Sequence, residues 1–183
     1  SNITNDKFWL IDPIDGTASY AHGYDGYVIQ IALMENFTPI LSAVYAPERN
    51  DLYFAIKGEG SFLNNKKIRC IESDKLVLID NYSKPFGAAK QVYENIDIYE
   101  YIECGSIGLK ICKVAEGCAN IFVKDVTVRD WDLAAPILIL EESQGIISTY
   151  ENKKINFTGN STHIGIIACS SIAIHNKVVS IIN

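Results

Sequence analysis

The chain has no CxxC pair: its cysteines, Cys70, Cys104, Cys112, Cys118 and Cys169, are scattered. That excludes the close-spaced thiol pairs of zinc ribbons and dithiol redox centres. Scattered thiols are expected as small buried hydrophobes in a reducing, cytoplasmic setting. Basic residues are in deficit, with 16 Lys and Arg against 22 Asp and Glu and a net charge of −6. The deficit argues against a broad surface for a nucleic-acid polymer. It does not argue against a small anion, because a bound cation reverses the local field. Long apolar runs are missing as well. Ala134–Leu140 and Val178–Ile182 have the lengths of core segments, too short for a bilayer, so no membrane partner is expected. Ser1–Lys7 is polar and lacks the apolar stretch of a signal peptide.

What is present suits a globular core: 48% of residues are hydrophobic and 21% charged. Phe8–Asp12 is a short apolar run stopped by Pro13, a strand feeding a loop. Alternation predicts strands around Tyr27–Met34, Pro39–Tyr45 and Leu52–Ile56. Asn64-Asn65 closes a hairpin between Ser61–Leu63 and Lys67–Arg69. Residues 1–73 therefore read as a run of antiparallel strands. Residues 74–183 read as α/β, with strands at Leu76–Asp80, Ala119–Val123, Ile146–Thr149 and Ile164–Ala168. Helices are expected at Pro85–Asn95, at 106–116 behind a Ser106 cap, and at Trp131–Glu142 behind an Asp130 cap. A last helix follows Ser170-Ser171, with Ile172, His175, Val179 and Ile182 on one side. The boundary between the halves falls near Glu72–Lys75.

Three stretches carry chemistry. In Asp12-Pro13-Ile14-Asp15-Gly16-Thr17, two carboxylates close together at the end of a buried strand are costly unless their charge is compensated. Pro13 stiffens the chain and Gly16 lets it turn, so both carboxylates and the Ile14 carbonyl can aim at one point. Hard oxygen ligands of that kind suit Mg²⁺, and the Gly16 and Thr17 amides suit a phosphate. The plain alternative is an Asx-type turn with solvated side chains. The second stretch, Asp130-Trp131-Asp132-Leu133-Ala134-Ala135-Pro136, opens a helix whose dipole favours an anion in its first turn. Its two acids could equally do no more than serve the helix terminus. The third, Cys104-Gly105-Ser106, offers free N–H groups at a helix start, which suits a phosphate or a sugar hydroxyl.

These stretches, in this order, resemble the inositol monophosphatase family. The similarity runs through Trp9–Thr17, Ile31-Ala32-Leu33, Val44-Tyr45-Ala46-Pro47 and Gly58–Asn64. It continues at Gly105-Ser106, Val114-Ala115-Glu116-Gly117 and Trp131–Ala135. It implies a layered α-β-α-β sandwich of the sugar phosphatase type and Mg²⁺-dependent hydrolysis of phosphomonoesters. By resemblance, the metal ligands are Asp12, the Ile14 carbonyl, Asp15 and Asp132. Thr17 orients the attacking water, Gly16, Thr17, Gly105 and Ser106 hold substrate, and Asp125 accepts a sugar hydroxyl. The expected partners are a small phosphorylated substrate, most simply an inositol or sugar monophosphate, and a second copy of the chain.

One departure is conspicuous. The family carries a further metal-binding glutamate on a helix upstream of the first motif, and only Ser1–Ile11 precede Asp12 here. The first strands are therefore expected to lack a helical layer and to show an apolar patch. The same departure keeps a non-catalytic, regulatory relative in play. Lys124 or Arg129 could instead meet a second phosphate, as in the related 3'(2'),5'-bisphosphate nucleotidases.

Overall fold

A computed structural model describes residues 6–183. The first half folds as the alternation dictates. Strands β1 (Lys7–Asp15), β2 (Val28–Glu35), β3 (Thr38–Ala46), β4 (Asp51–Ile56), β5 (Gly60–Leu63) and β6 (Lys66–Ile68) lie side by side in chain order, each antiparallel to the next. Asn64 and Asn65 close the β5–β6 hairpin at φ 47° and 67°, the left-handed conformation that asparagine tolerates. β1 does not stop at Pro13. It lies at the sheet edge, and a register shift between Asp12 and Asp15 absorbs the proline, which has no N–H for the ladder.

The second sheet has the order β10-β11-β9-β7-β8, built from β7 (Leu76–Asp80), β8 (Ile98–Glu103), β9 (Ile121–Arg129), β10 (Ile146–Ser148) and β11 (Thr162–Cys169). β7 runs parallel to β8 and β9, while β11 is antiparallel to both its neighbours. β8 was not expected from sequence. It is an edge strand whose Tyr99 is 65% exposed, and its exposed residues Tyr99, Glu100 and Glu103 do not alternate cleanly with the others. β9 runs well beyond Val123, which places Lys124, Asp125 and Arg129 on a strand instead of a loop.

Among the described residues five α-helices complete the fold: α1 (Thr17–Ala21), α2 (Gly87–Asn95), α3 (Ile107–Ala115), α4 (Asp130–Glu142) and α5 (Ile172–Ile182). α3 and α4 lie between the sheets, and α2 and α5 cover the far face of the second sheet. The order is sheet, helices, sheet, helices. Because α4 is sandwiched, every residue from Leu133 to Leu140 is buried, and no single apolar stripe exists. Its C-terminal end is fixed by Glu142, whose carboxylate accepts the Gly58 and Gly60 amides at 2.8 and 3.0 Å. In α5 the buried face is Ile174, His175 and Val178, and Ile172 is exposed, one step round from the face expected. All five cysteines are free thiols, and no described helix is long and apolar enough to cross a membrane.

The outer face of the first sheet is apolar and uncovered by any described element. β2 buries Val28, Gln30, Ala32 and Met34 and turns Ile29, Ile31 and Leu33 the other way. Trp9 and Ile11 of β1, Ile29, Leu41 and Leu52 are each between 37% and 53% exposed. The register aligns Trp9 with Leu33 and Leu41, and Ile11 with Ile31, Ala43, Phe54 and Phe62. A continuous patch of this kind is rare on a monomer. The chain at this length is expected to bind a hydrophobic dye and to sediment above its monomer mass. A dye-silent monomer in sedimentation contradicts that.

Candidate active site

The site begins where β1 breaks its ladder. Freed from pairing between Asp12 and Asp15, the backbone folds into a tight turn in which the Ile14 N–H donates to Asp12 Oδ1 at 3.1 Å. The Asx-type turn is thus real, and it uses one oxygen of Asp12. Thr17 Oγ1 donates to the Ile14 carbonyl at 3.1 Å. Gly16 takes φ +86°, a conformation that costs a side-chain-bearing residue, and starts α1.

Asp15 turns inward to the start of α3, where its Oδ2 accepts the Gly108 N–H at 2.7 Å. Gly108 permits this approach, since a Cβ there would stand 3.0 Å from that oxygen. Ser106 caps α3 by accepting the Leu109 N–H at 3.0 Å, as its sequence position implied. The turn and the helix start are locked by glycine on glycine. Ser106 N donates to the Gly26 carbonyl at 2.6 Å, and a Cβ on Gly105 would lie 2.3 Å from that oxygen.

Asp132 comes from the first turn of α4. Its Oδ2 accepts the Arg129 N–H at 2.7 Å, so it does serve the helix terminus. Asp130 does not cap its own helix. Its Oδ2 accepts the amides of Thr158, Gly159 and Ser161, and its Oδ1 meets His163 Nε2 at 2.8 Å. This fully buried acid ties the 158–161 loop to the start of α4, and Arg129 is the capping position.

Asp12 acts on both other carboxylates, and Asp132 acts on Asp15. Burial, with Asp12 and Asp132 nearby, pushes Asp15 up to about 6, against the opposing pull of the Gly108 amide and Lys110. Asp132 is likewise raised, first by burial and then by the charge and hydrogen bond of Asp12, while the Arg129 amide opposes. Among the described residues no three acidic, His or Cys side chains converge on one point, because each of these acids turns one oxygen to a backbone N–H. Mg²⁺ needs only one or two carboxylates beside water and phosphate oxygens. Repelling acids next to the Ile14 carbonyl, which has a second lone pair beside the one used by Thr17, therefore fit that ion.

Beside this cluster opens a cleft of about 780 Å³, lined by Asp15, Gly16, Gly105 and Ser106 at one end and by Asn81, Tyr82, Glu103 and Lys124 further along. Of the three acids, Asp15 alone is among the residues that line the cleft. Asp125 is not in the cleft. Strand alternation sends Lys124 and Val126 inward and leaves Asp125 exposed beside Gly87 at the start of α2. Arg129 lies outside it too, with its guanidinium over the Trp131 ring. Lys124 is engaged by Asp80 at 2.9 Å and by Asn81.

Two residues escaped the sequence reading. Lys110 is 2% exposed, lines the cleft, and donates to the Gly105 carbonyl at 2.5 Å. Burial lowers its pKa to about 8. Its signal was a lysine set between Leu109 and Ile111 in a helix whose one other charged residue is Lys113. Gln30 is 1% exposed, and its signal was one polar residue among the inward positions of β2.

The sequence profile of the inositol monophosphatase family matches residues 1–183. The chain belongs to that family. It is 30% identical over 187 aligned positions to the fructose-1,6-bisphosphatase/inositol-1-monophosphatase of Thermotoga maritima, covering 97% of this chain and 68% of that protein. It is 31% identical to the 3'(2'),5'-bisphosphate nucleotidase CysQ of Buchnera aphidicola, covering 85% and 60%. The solved structure of a Thermotoga maritima IMPase superposes with a TM-score of 0.83 at 29% identity, covering 98% of this chain and 70% of that one. The chain thus spans about 60–70% of the length of these relatives.

Proposed function

We propose that this member of the inositol monophosphatase family carries the centre of a Mg²⁺-dependent phosphomonoester hydrolase, acting on an inositol or sugar monophosphate. The observation that supports it most is the juxtaposition of coupled acids with an amide-lined turn. Asp12 raises the proton affinity of Asp15 and Asp132, and Asp132 that of Asp15, directly beside the Gly16 turn and the start of α3. Acids held together in this way call for a cation, and the exposed amides call for an anion.

In this reading Asp12, Asp132 and the Ile14 carbonyl would hold the ion, with Asp15 completing its shell. The ion would supply positive charge that favours attack at phosphorus and departure of the alkoxide. The chain's own groups do the rest. The Thr17 hydroxyl donates its hydrogen bond to the Ile14 carbonyl, so its oxygen is left to accept from an attacking water and aim it. The Gly16 and Thr17 amides face the phosphate oxygens. Gly105 and Ser106 border the part of the cleft where the alcohol would lie.

Lys124 is already neutralised by Asp80, which favours a substrate with hydroxyls beyond its phosphate over one with a second phosphate. Phosphate release is therefore expected to be fastest from inositol 1-phosphate, slower from fructose 1,6-bisphosphate, and slowest from adenosine 3',5'-bisphosphate. The reverse order would reassign the substrate. Calorimetric titration with Mg²⁺ tests the centre itself. No binding even at high concentration removes the catalytic reading and leaves a binding or regulatory relative.

A further inference from the structure

α4 contains a proline in its interior, four residues after Asp132. Pro136 has no N–H, so the helical donor that would satisfy the Asp132 carbonyl does not exist. An unpaired buried carbonyl costs roughly 1–3 kcal/mol. The gap is filled from another layer of the fold: Gln30 Nε2 donates to the Asp132 carbonyl at 3.2 Å. Gln30 interrupts an inward row otherwise made of Val28, Ala32 and Met34. It sits on β2 directly opposite Asp12 in the ladder. Its side chain therefore joins the residue facing one acid to the backbone of another. On its far side, Gln30 Oε1 is buried without a donor among the described residues. That oxygen packs against Gly108, where a Cβ would come within 2.5 Å of it. Gly108 is the residue whose amide holds Asp15. The Gln30 amide thus touches the backbone of Asp132 and the Gly108 support of Asp15, while its residue lies across the ladder from Asp12.

We infer that Gln30 and Pro136 form a matched pair that positions the metal-binding acids. The proline frees the Asp132 carbonyl, and Gln30 uses it to clamp the first turn of α4 onto β2, setting the spacing of Asp132 from Asp12. The inference rests on the proposed reading of those acids as metal ligands. Gln30 touches neither metal nor substrate in this account and is a positioning residue. Loss of such a support commonly weakens metal binding by about 10–100-fold.

The test pairs a loss with a specific rescue. Gln30→Met keeps the volume and removes the donor. It is expected to weaken Mg²⁺ binding about tenfold by calorimetry and to speed hydrogen exchange in the first turn of α4 in the metal-free chain. Pro136→Ala restores a helical N–H to the Asp132 carbonyl. The Q30M/P136A double variant is therefore expected to return hydrogen exchange to within about twofold of the parent, while Mg²⁺ binding stays weakened because the bond from β2 is still missing. A Gln30 that merely filled the core would not be rescued by a residue on α4. The inference is overturned if Q30M changes neither quantity, if P136A fails to rescue hydrogen exchange, or if P136A alone restores Mg²⁺ binding in the absence of Gln30. If the parent binds no divalent ion, the hydrolase reading falls and hydrogen exchange alone judges the clamp. Should Q30M not fold, Gln30→Asn carries the same test, because its shorter amide cannot reach the carbonyl.

Discussion

Asp12→Asn is expected to lower Mg²⁺-dependent phosphate release by at least about a hundredfold, while the metal-free chain becomes slightly more stable. The two effects have one cause. Asp12 is a repelling neighbour of both Asp15 and Asp132, and burial makes that repulsion costly. Asparagine keeps the oxygen that accepts the Ile14 N–H, so the turn itself survives. It removes a charge that only a bound cation would make useful. The gain should be up to about 1 kcal/mol in thermal or denaturant unfolding without metal. With excess Mg²⁺ the order should invert, because the parent alone is stabilised by binding. A variant that loses stability without metal would show that Asp12 is held for structure.

Gly105→Ala is expected to cost about 1–3 kcal/mol of stability and to lower kcat/KM by about a hundredfold. The methyl group would meet backbone, which cannot step aside: the Gly26 carbonyl oxygen at 2.3 Å, and its Cα and carbonyl carbon at 2.7 Å. Relief requires the Gly26 strand entry and α3 to part. That breaks the bond from Ser106 N to the Gly26 carbonyl and moves the helix start that holds Asp15. It also disturbs Gly16, which packs against Ser106 and Gly26. Displacement of this size is enough to spoil a site that works by orientation. Urea denaturation and steady-state kinetics on the same preparation check both effects. Activity within twofold of the parent, despite lower stability, would mean that the contact does not hold the turn in place.

Much of this protein was legible in its sequence. Alternation in 27–34, 39–45 and 52–56 determined the antiparallel sheet, because the side-chain period of a strand is two wherever one face is buried. Asn64-Asn65, the Ser106 cap and the Asp12–Thr17 turn were readable for a similar reason: each is set by residues within a few positions of one another. Tertiary structure decided what depends on partners distant in the chain. It determined that the face of β2 bearing Gln30, and not its more apolar face, is the inward one. It sent Lys124 into the cleft and Asp125 out of it, a choice fixed by the pairing of β9 with β7 and β11. It gave Asp130 to a distant loop in place of its own helix, and it answered a missing N–H at Pro136 with a side chain 102 residues from Asp132. Local sequence determines which backbone groups need partners, and only the packed chain determines which groups are near enough to meet that need.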